Sequence, residues 1–201
     1  MDGDPYVYVV DDDADTRRSM RGLLEAHGFK ARSFRSARQF LADDDVRHGC
    51  LIADIRMPDM SGLELQEETV RRQMDLAVII MTGHGDVPLV VRAMRAGAID
   101  FLEKPFNSET MLGSVRRALT AGSQARRRST KIRLARNLLA SLTPREHSVL
   151  EKLVKGCPNK ITALELGISP RTVETHRAHI MDKMNVSSMA DLVRAVAAGR
   201  Q

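Results

Sequence analysis

Four short apolar runs each end in a polar residue, and this pattern restricts the fold more than any other feature of the chain. Tyr6-Val7-Tyr8-Val9-Val10 is followed by Asp11-Asp12, and Cys50-Leu51-Ile52-Ala53 by Asp54. Val78-Ile79-Ile80-Met81 is followed by Thr82, and Ile99-Asp100-Phe101-Leu102 leads to Lys104. Short β-branched runs alternating with amphipathic stretches predict a parallel sheet with helices on both faces. In such α/β sheets chemistry lies outside the carboxyl ends of the strands. All five polar residues fall there, so three carboxylates, a hydroxyl and an ammonium are expected to converge on one patch.

The first part of the chain alternates strand and helix five times. Strands are expected near 6–10, 30–34, 50–53, 76–81 and 99–102, and helices near 14–27, 36–42, 62–73, 87–96 and 107–120. Met20, Leu23, Leu24 and His27 share one helical face, and Gly28 ends that helix. Ser36 with Gln39 has the spacing of a capping box. Gly97 closes the fourth helix.

Charge divides the chain of 201 residues. Residues 1–120 carry 16 Lys+Arg against 20 Asp+Glu, net −4, and residues 121–201 carry 15 against 6, net +9. An acidic module joined to a basic one points to a polyanionic partner for the second half. No apolar run approaches the roughly 20 residues of a membrane span. The acidic Met1-Asp2-Gly3-Asp4 argues against a signal peptide. Cys50 and Cys157 lie in no metal-ligand spacing, so a reduced cytoplasmic compartment is expected.

Domain boundaries are placed at 1–120, a helical basic linker at 121–142, and an all-helical module at 143–201. Arg126-Arg127-Arg128 reads as a solvated helix face. Ile132, Ala135, Leu139 and Leu142 form one a/d-like patch, too short for a coiled coil. Thr143-Pro144-Arg145-Glu146 starts a helix that runs to Gly156. A second spans about 159–166, Gly167-Ile168-Ser169 forms a tight turn, and Ser169-Pro170 opens a third that runs to about Met184. A fourth runs from Ser188 to near Gly199. Two helices around a short Gly-containing turn, the second long and polar, form a helix-turn-helix pattern.

The residue types expected at the first patch suit phosphoryl transfer. Asp11, Asp12 and Asp54 offer hard oxygen donors for Mg²⁺, which would relieve their mutual repulsion. Asp54 is the candidate nucleophile toward a phosphoryl group, giving an acyl phosphate. Lys104 and the metal would neutralise charge on the equatorial oxygens, and the Thr82 hydroxyl can hydrogen-bond the bound group. Lys104-Pro105 reads as a rigid junction where a cis bond can occur. Asp13, Asp15 and Asp43-Asp44-Asp45 are read as solvation only, His84 as a loop residue, and Gly83 and Gly85 as points of close backbone approach.

Val9-Val10-Asp11-Asp12-Asp13, Asp54-Ile55-Arg56-Met57-Pro58-Asp59-Met60-Ser61-Gly62, Thr82-Gly83-His84-Gly85-Asp86 and Lys104-Pro105-Phe106 together resemble the receiver domain of a two-component response regulator. The resemblance implies a flavodoxin-like, doubly wound five-stranded parallel sheet. It also implies phosphotransfer from a sensor histidine kinase to Asp54, with Mg²⁺ at Asp11, Asp12, Asp54 and the Arg56 backbone carbonyl. Thr82 and Phe101 would be the residues that move on phosphorylation.

Leu142-Thr143-Pro144-Arg145-Glu146, Asn159-Lys160-Ile161, Leu166-Gly167-Ile168-Ser169, Arg171-Thr172-Val173-Glu174-Thr175-His176-Arg177 and Ile180-Met181-Asp182-Lys183-Met184 resemble the four-helix LuxR-type helix-turn-helix. With the receiver motifs, nearly the whole chain resembles the FixJ-like group of transcriptional regulators. Val173, Ile180 and Met184 should face inward. Glu174, Thr175 and Ala178 lie opposite, at positions near base edges in that family, and are the base-reading candidates for double-stranded DNA. Lys160, Arg171, Thr172, Arg177 and Lys183 are phosphate candidates, and Glu146 could instead serve as a structural partner for a basic residue. Thr162 departs from the usual apolar residue, and if it faces the core its hydroxyl is expected to bond a backbone carbonyl. His176 and His179 have no Cys or second His pair nearby and are not read as metal ligands.

Phosphorylation adds roughly two negative charges to an acidic pocket. Val91 and Arg95 lie on the exposed side of the fourth helix, and Arg95 is expected to pair with Asp100 across a twofold homodimer around Val91. Two recognition helices would then reach half-sites about one helical turn apart. RNA polymerase is a further candidate partner, and no membrane is expected. The reading is of a regulator whose only chemistry is its own phosphorylation and dephosphorylation. One alternative is a receiver gated by a protein partner without phosphate. Another is a Mg²⁺-dependent aspartyl phosphatase, which wants an acid two residues after the nucleophile, where this chain has Arg56.

Overall fold

A computed structural model describes residues 4–83 and 87–200. The chain divides into two compact units, Met1–Arg126 and Arg127–Gln201. In the first, β1 (Tyr6–Val10), β2 (Lys30–Phe34), β3 (Gly49–Asp54), β4 (Leu76–Thr82) and β5 (Asp100–Glu103) form one sheet in the order β2-β1-β3-β4-β5. Every pairing is parallel. The crossovers are α1 (Ala14–Ala26), α2 (Ala37–Leu41), α3 (Gly62–Arg71) and α4 (Val87–Arg95), and α5 (Ser108–Ala140) follows the last strand.

The apolar runs are continuous because both faces of the central strands are covered. Tyr8, Val10, Leu51, Ala53, Val78 and Ile80 point to one side, where Phe40, Leu63, Leu65 and Ala93 of α2, α3 and α4 meet them. Val7, Val9, Cys50, Ile52, Ile79 and Met81 point to the other, against Met20 and Leu24 of α1 and Met111 and Val115 of α5. Each buried Leu, Ile or Val on these faces contributes about 2 kcal/mol.

Helix ends follow the polar residues beside them. Asp13 caps α1, accepting from the Asp15 and Thr16 amides and the Thr16 hydroxyl, so it does more than solvate the surface. Asp43 accepts from Arg32 of β2 and from the Asp45 amide, which also corrects the solvation-only reading. Asp15 pairs with Arg18 on the surface. Ser36 caps α2, but Gln39 Oε1 accepts from the Arg35 amide rather than from Ser36, so the box is only half closed.

No break separates the expected fifth helix from the expected helical linker. Between Ser108 and Ala140 there is no proline, and an interior glycine such as Gly122 costs only about 1 kcal/mol. Met111, Leu112, Val115 and Ala118 of α5 belong to the core of the first unit. Arg126 pairs with Asp75 at 3.6 Å.

The second unit has α6 (Pro144–Val154), α7 (Asn159–Leu166), α8 (Pro170–Lys183) and α9 (Met189–Gly199) around a core that includes Val149, Leu150, Val173, Ile180, Leu192 and Val196. Of the a/d-like patch, Leu142 belongs to this core and Leu139 packs against it, and Ala135 is buried. Gly167 ends α7 at φ 65°, a left-handed conformation open to glycine, and Ser169 caps α8.

Candidate functional site

The strand register aligns the ends of the sheet. Val10 of β1 lies beside Ala53, Asp54 beside Met81, and Thr82 beside Glu103. Asp11, Asp54 and Thr82, which end or follow β1, β3 and β4, are therefore neighbours at one edge, and all three are buried. Lys104 follows β5, its backbone amide donates to the Thr82 carbonyl at 2.7 Å, and its peptide bond to Pro105 is cis.

The Lys104 ammonium joins the two buried carboxylates. It donates to Asp54 Oδ1 at 2.6 Å and to Asp11 Oδ2 at 2.7 Å. Asp54 Oδ2 accepts from the Arg56 amide at 2.7 Å, and Asp11 Oδ1 from the Asp13 amide at 2.8 Å. Burial raises the Asp54 carboxyl above the ordinary carboxylate range, and Asp11 adds to the rise against the lowering effect of Lys104. Burial works against the charge on Lys104, but its bonds to Asp11 and Asp54 prevail and hold the ammonium pKa above its usual value.

Asp12 is exposed, and Arg56 is exposed beyond its amide contact. The donor chemistry fits Mg²⁺: two buried carboxylates, a third adjacent in sequence and a neighbouring carbonyl are hard oxygen ligands, and a divalent cation would offset both the burial and the Asp11 charge that raise Asp54. Among the described residues no three acidic, His or Cys side chains surround one point, and the Lys104 ammonium is bonded to both Asp11 and Asp54.

Two contacts at this edge have no signature in the run-ending pattern. A Cβ on Gly62 would lie 2.4 Å from the Asp54 carbonyl oxygen, so only glycine lets the start of α3 approach β3 this closely. Arg17 donates to the Asp11 carbonyl at 2.8 Å. Gly83, expected at a close approach, faces open space. His84 and Gly85 lie outside the described residues.

Phe101 is half-buried against the core on the α2, α3 and α4 side. Val91 and Arg95 are exposed on α4. Asp100 is engaged within its own unit: Ser114 Oγ donates at 2.6 Å, Arg117 forms an ion pair, and the Phe101 amide donates at 2.9 Å. Burial alone would raise the Asp100 carboxyl, but these three donors hold it below its usual range.

In the second unit Val173, Ile180 and Met184 are buried, and Glu174, Thr175 and Ala178 are exposed on the opposite side of α8. The Thr175 hydroxyl donates to the Arg171 carbonyl at 3.1 Å. Lys160, Glu174 and Arg177 come together around an open groove of about 550 Å³ that Cys157 and Asn159 also line. Arg171 is exposed, and Thr172 is tied to Ser169 by its amide and hydroxyl.

Lys183 departs from the other phosphate candidates. Its ammonium is bonded to the buried Glu146 at 2.7 Å, so the structural-partner reading of Glu146 is the one realised here. Thr162 is fully buried and its hydroxyl has no hydrogen-bond partner, contrary to the expected bond to a carbonyl. His176 Nδ1 is likewise buried without a partner, and no metal-binding group includes it among the described residues.

Residues 7–116 match the family described as response regulator receiver domain, more than half of the chain. The chain belongs to the response regulator family. Residues 140–196 of this response regulator match a second family, the bacterial regulatory proteins of the luxR family. The regulator is 47% identical over 190 residues to the transcriptional regulatory protein FixJ of Azorhizobium caulinodans, covering 94% of this chain and 90% of that one. It is 44% identical to FixJ of Rhizobium meliloti, with 98% and 97% covered. Among solved structures the response regulator StyR superposes with a TM-score of 0.86 at 42% identity, covering 97% of this chain and 99% of that one. The receiver domain and the LuxR-type DNA-binding domain thus make this response regulator a FixJ-like transcription regulator. No helix among the described residues is long and apolar enough to cross a membrane.

Proposed function

We propose that Asp54 accepts a phosphoryl group from a sensor histidine kinase, and that this controls promoter binding by the second unit. The observation that carries the reading is the environment of Asp54. Its carboxylate is almost fully buried at the end of β3, with one oxygen on the Lys104 ammonium, the other on the Arg56 amide, and Asp11 alongside. In the transfer an Asp54 Oδ–P bond forms as the donor histidine's P–N bond breaks. Lys104, bonded to Asp54, would take up charge on the transferring oxygens, and Thr82, at the end of β4, would hydrogen-bond one of them.

Asp11, Asp12, Asp54 and the Arg56 carbonyl would hold Mg²⁺, which supplies electrostatic stabilisation of the phosphoryl oxygens when bound. The protein acts on no substrate beyond its own aspartate. Phe101 and Thr82 carry the change toward α4, where Val91 and Arg95 form the face of a homodimer with Asp100. In that pairing Arg95 competes with Ser114 and Arg117 for the Asp100 carboxylate. Duplex DNA meets α8, with Glu174, Thr175 and Ala178 toward base edges and Lys160, Arg171, Thr172 and Arg177 toward phosphates. The receiver spans 1–120, a basic linker 121–142 and the DNA-binding domain 143–201. The compartment is the cytoplasm, and RNA polymerase is a partner at the promoter.

Acetyl phosphate with Mg²⁺, followed by Phos-tag electrophoresis and sedimentation, tests this. Wild type is expected to show a shifted band and a heavier species, and Asp54→Asn neither. A shifted band retained by Asp54→Asn would place the phosphate elsewhere.

A further inference from the structure

The start of α6 grips both helices of the helix-turn-helix. Arg145 donates to the Leu166 carbonyl, at the end of α7, at 2.7 Å. The next residue, Glu146, is bonded to Lys183, the last residue of α8. Glu146 Oε2 accepts from three donors: the Thr143 amide at 2.7 Å, the Thr143 hydroxyl at 3.0 Å and Lys183 Nζ at 2.7 Å.

A capping box needs only the first pair of these residues. The chain contains a second box, Ser61 with Glu64, which is exposed and confined to the end of its own helix. At Thr143 and Glu146 the same motif has a buried carboxylate, which reaches 37 residues along the sequence to the exposed Lys183 of another helix. The contacts of α8 with the core through Val173, Ile180 and Met184 are apolar. Apolar contacts are non-directional and tolerate small rotations and slides. A charge-assisted bond to a buried carboxylate is directional, so it favours one placement of the α8 end over neighbouring ones.

We propose that Glu146 and Lys183, with Arg145 beside them, are positioning residues that fix the angle of the recognition helix for base reading, and that Lys183 is not a phosphate contact. This rests on the reading of α8 as the DNA-reading helix. The pair sets where Glu174, Thr175 and Ala178 stand, while Lys160, Arg171 and Arg177 supply affinity that is independent of sequence. The ion pair persists across the physiological range, because Lys183 and the Thr143 donors hold the Glu146 carboxyl down to about 2.

The test uses the full chain treated with acetyl phosphate and two probes, a duplex enriched by wild type from a random-sequence library and an unselected duplex. Dissociation constants are measured over a salt series for wild type, Glu146→Gln, Lys183→Met, Lys183→Arg and the Glu146→Gln/Lys183→Met double variant. Glu146→Gln and Lys183→Met are each expected to weaken binding to the enriched duplex by about tenfold. Binding to the unselected duplex and the salt slope should stay unchanged. The double variant should be no weaker than either single one, since both remove the same contact. Lys183→Arg, which keeps the pair, should keep most of the preference.

A direct phosphate contact behaves differently. Lys183→Met would then weaken both duplexes alike and reduce the salt slope by about one, and that result overturns the proposal. So does an unaltered preference in Lys183→Met. Lys183→Met leaves the Thr143–Glu146 cap in place, so it decides the matter alone if Glu146→Gln loses its helical circular dichroism. Failure of wild type to enrich any duplex would instead overturn the DNA-binding reading on which the proposal rests.

Discussion

Lys104 Nζ lies 2.6 Å from Asp54 Oδ1, fifty residues away in sequence, and it is the cation that lets Asp54 and Asp11 share a buried edge. Removing it leaves two carboxylates out of water without a counter-charge. Lys104→Met is predicted to destabilise the first unit by about 3 kcal/mol. Urea unfolding with and without Mg²⁺ measures this, and the cation should restore part of the loss. A loss well under 1 kcal/mol would mean that the carboxylates are compensated from elsewhere.

Asp54→Asn should act in the opposite direction. The Asp54 carboxyl is raised above the ordinary 3.8, chiefly by burial, so the folded state holds its proton more tightly than the unfolded chain does. That contribution is complete below 3.8 and is lost as pH rises through the folded value. Near neutral pH the folded protein therefore carries a charge it would rather not hold. Asn removes the charge, and the variant is expected to melt a few degrees higher. The gain should shrink as the pH is lowered toward 3.8. A variant that melts below wild type near neutrality would contradict this.

Glu146 has the reverse sign. Its carboxyl is held at about 2 against an ordinary 4.5, first by Lys183 and then by the Thr143 amide, against the effect of burial. Its contribution is present above 4.5 and is lost as pH falls toward 2. In thermal melts the second unit of wild type should lose stability over that window more steeply than Glu146→Gln. Parallel curves for the two would show that the ion pair adds nothing to folding.

Thr162 hides a hydroxyl with no partner in the core of the second unit. Valine has nearly the same shape without the polar group. Thr162→Val is predicted to raise the unfolding free energy by about 1 kcal/mol in urea, since an unsatisfied buried hydroxyl costs about that much. A destabilised variant would point to a bound water that satisfies the hydroxyl.

The sheet and the meeting of Asp11, Asp54, Thr82 and Lys104 at one edge were legible in the sequence because strand ends are marked locally. An apolar run that stops at Asp11, Asp54 or Thr82 announces both the strand and the side on which its last polar group emerges. The four helices of the second unit were legible for a similar reason, through Thr143-Pro144 and Ser169-Pro170 at their starts and Gly156 and Gly167 at their ends. Contacts between residues far apart were not. Nothing near Asp43 marks Arg32 as its partner, and nothing near Asp100 marks Ser114 and Arg117. Lys183 looks like any surface cation until α6 is folded against α8. Asp13 is different: an aspartate directly before a helix start is a capping signal, and the acidic run around it obscured that role.

The affinity of the full chain for an enriched duplex, measured by fluorescence anisotropy before and after treatment with acetyl phosphate and Mg²⁺, is the most direct measure of whether phosphate on Asp54 governs DNA binding. Phosphorylated wild type is predicted to bind about tenfold tighter than the untreated protein, and Asp54→Asn to show no response. Equal affinity in the two states of wild type, or a response preserved in Asp54→Asn, would contradict it.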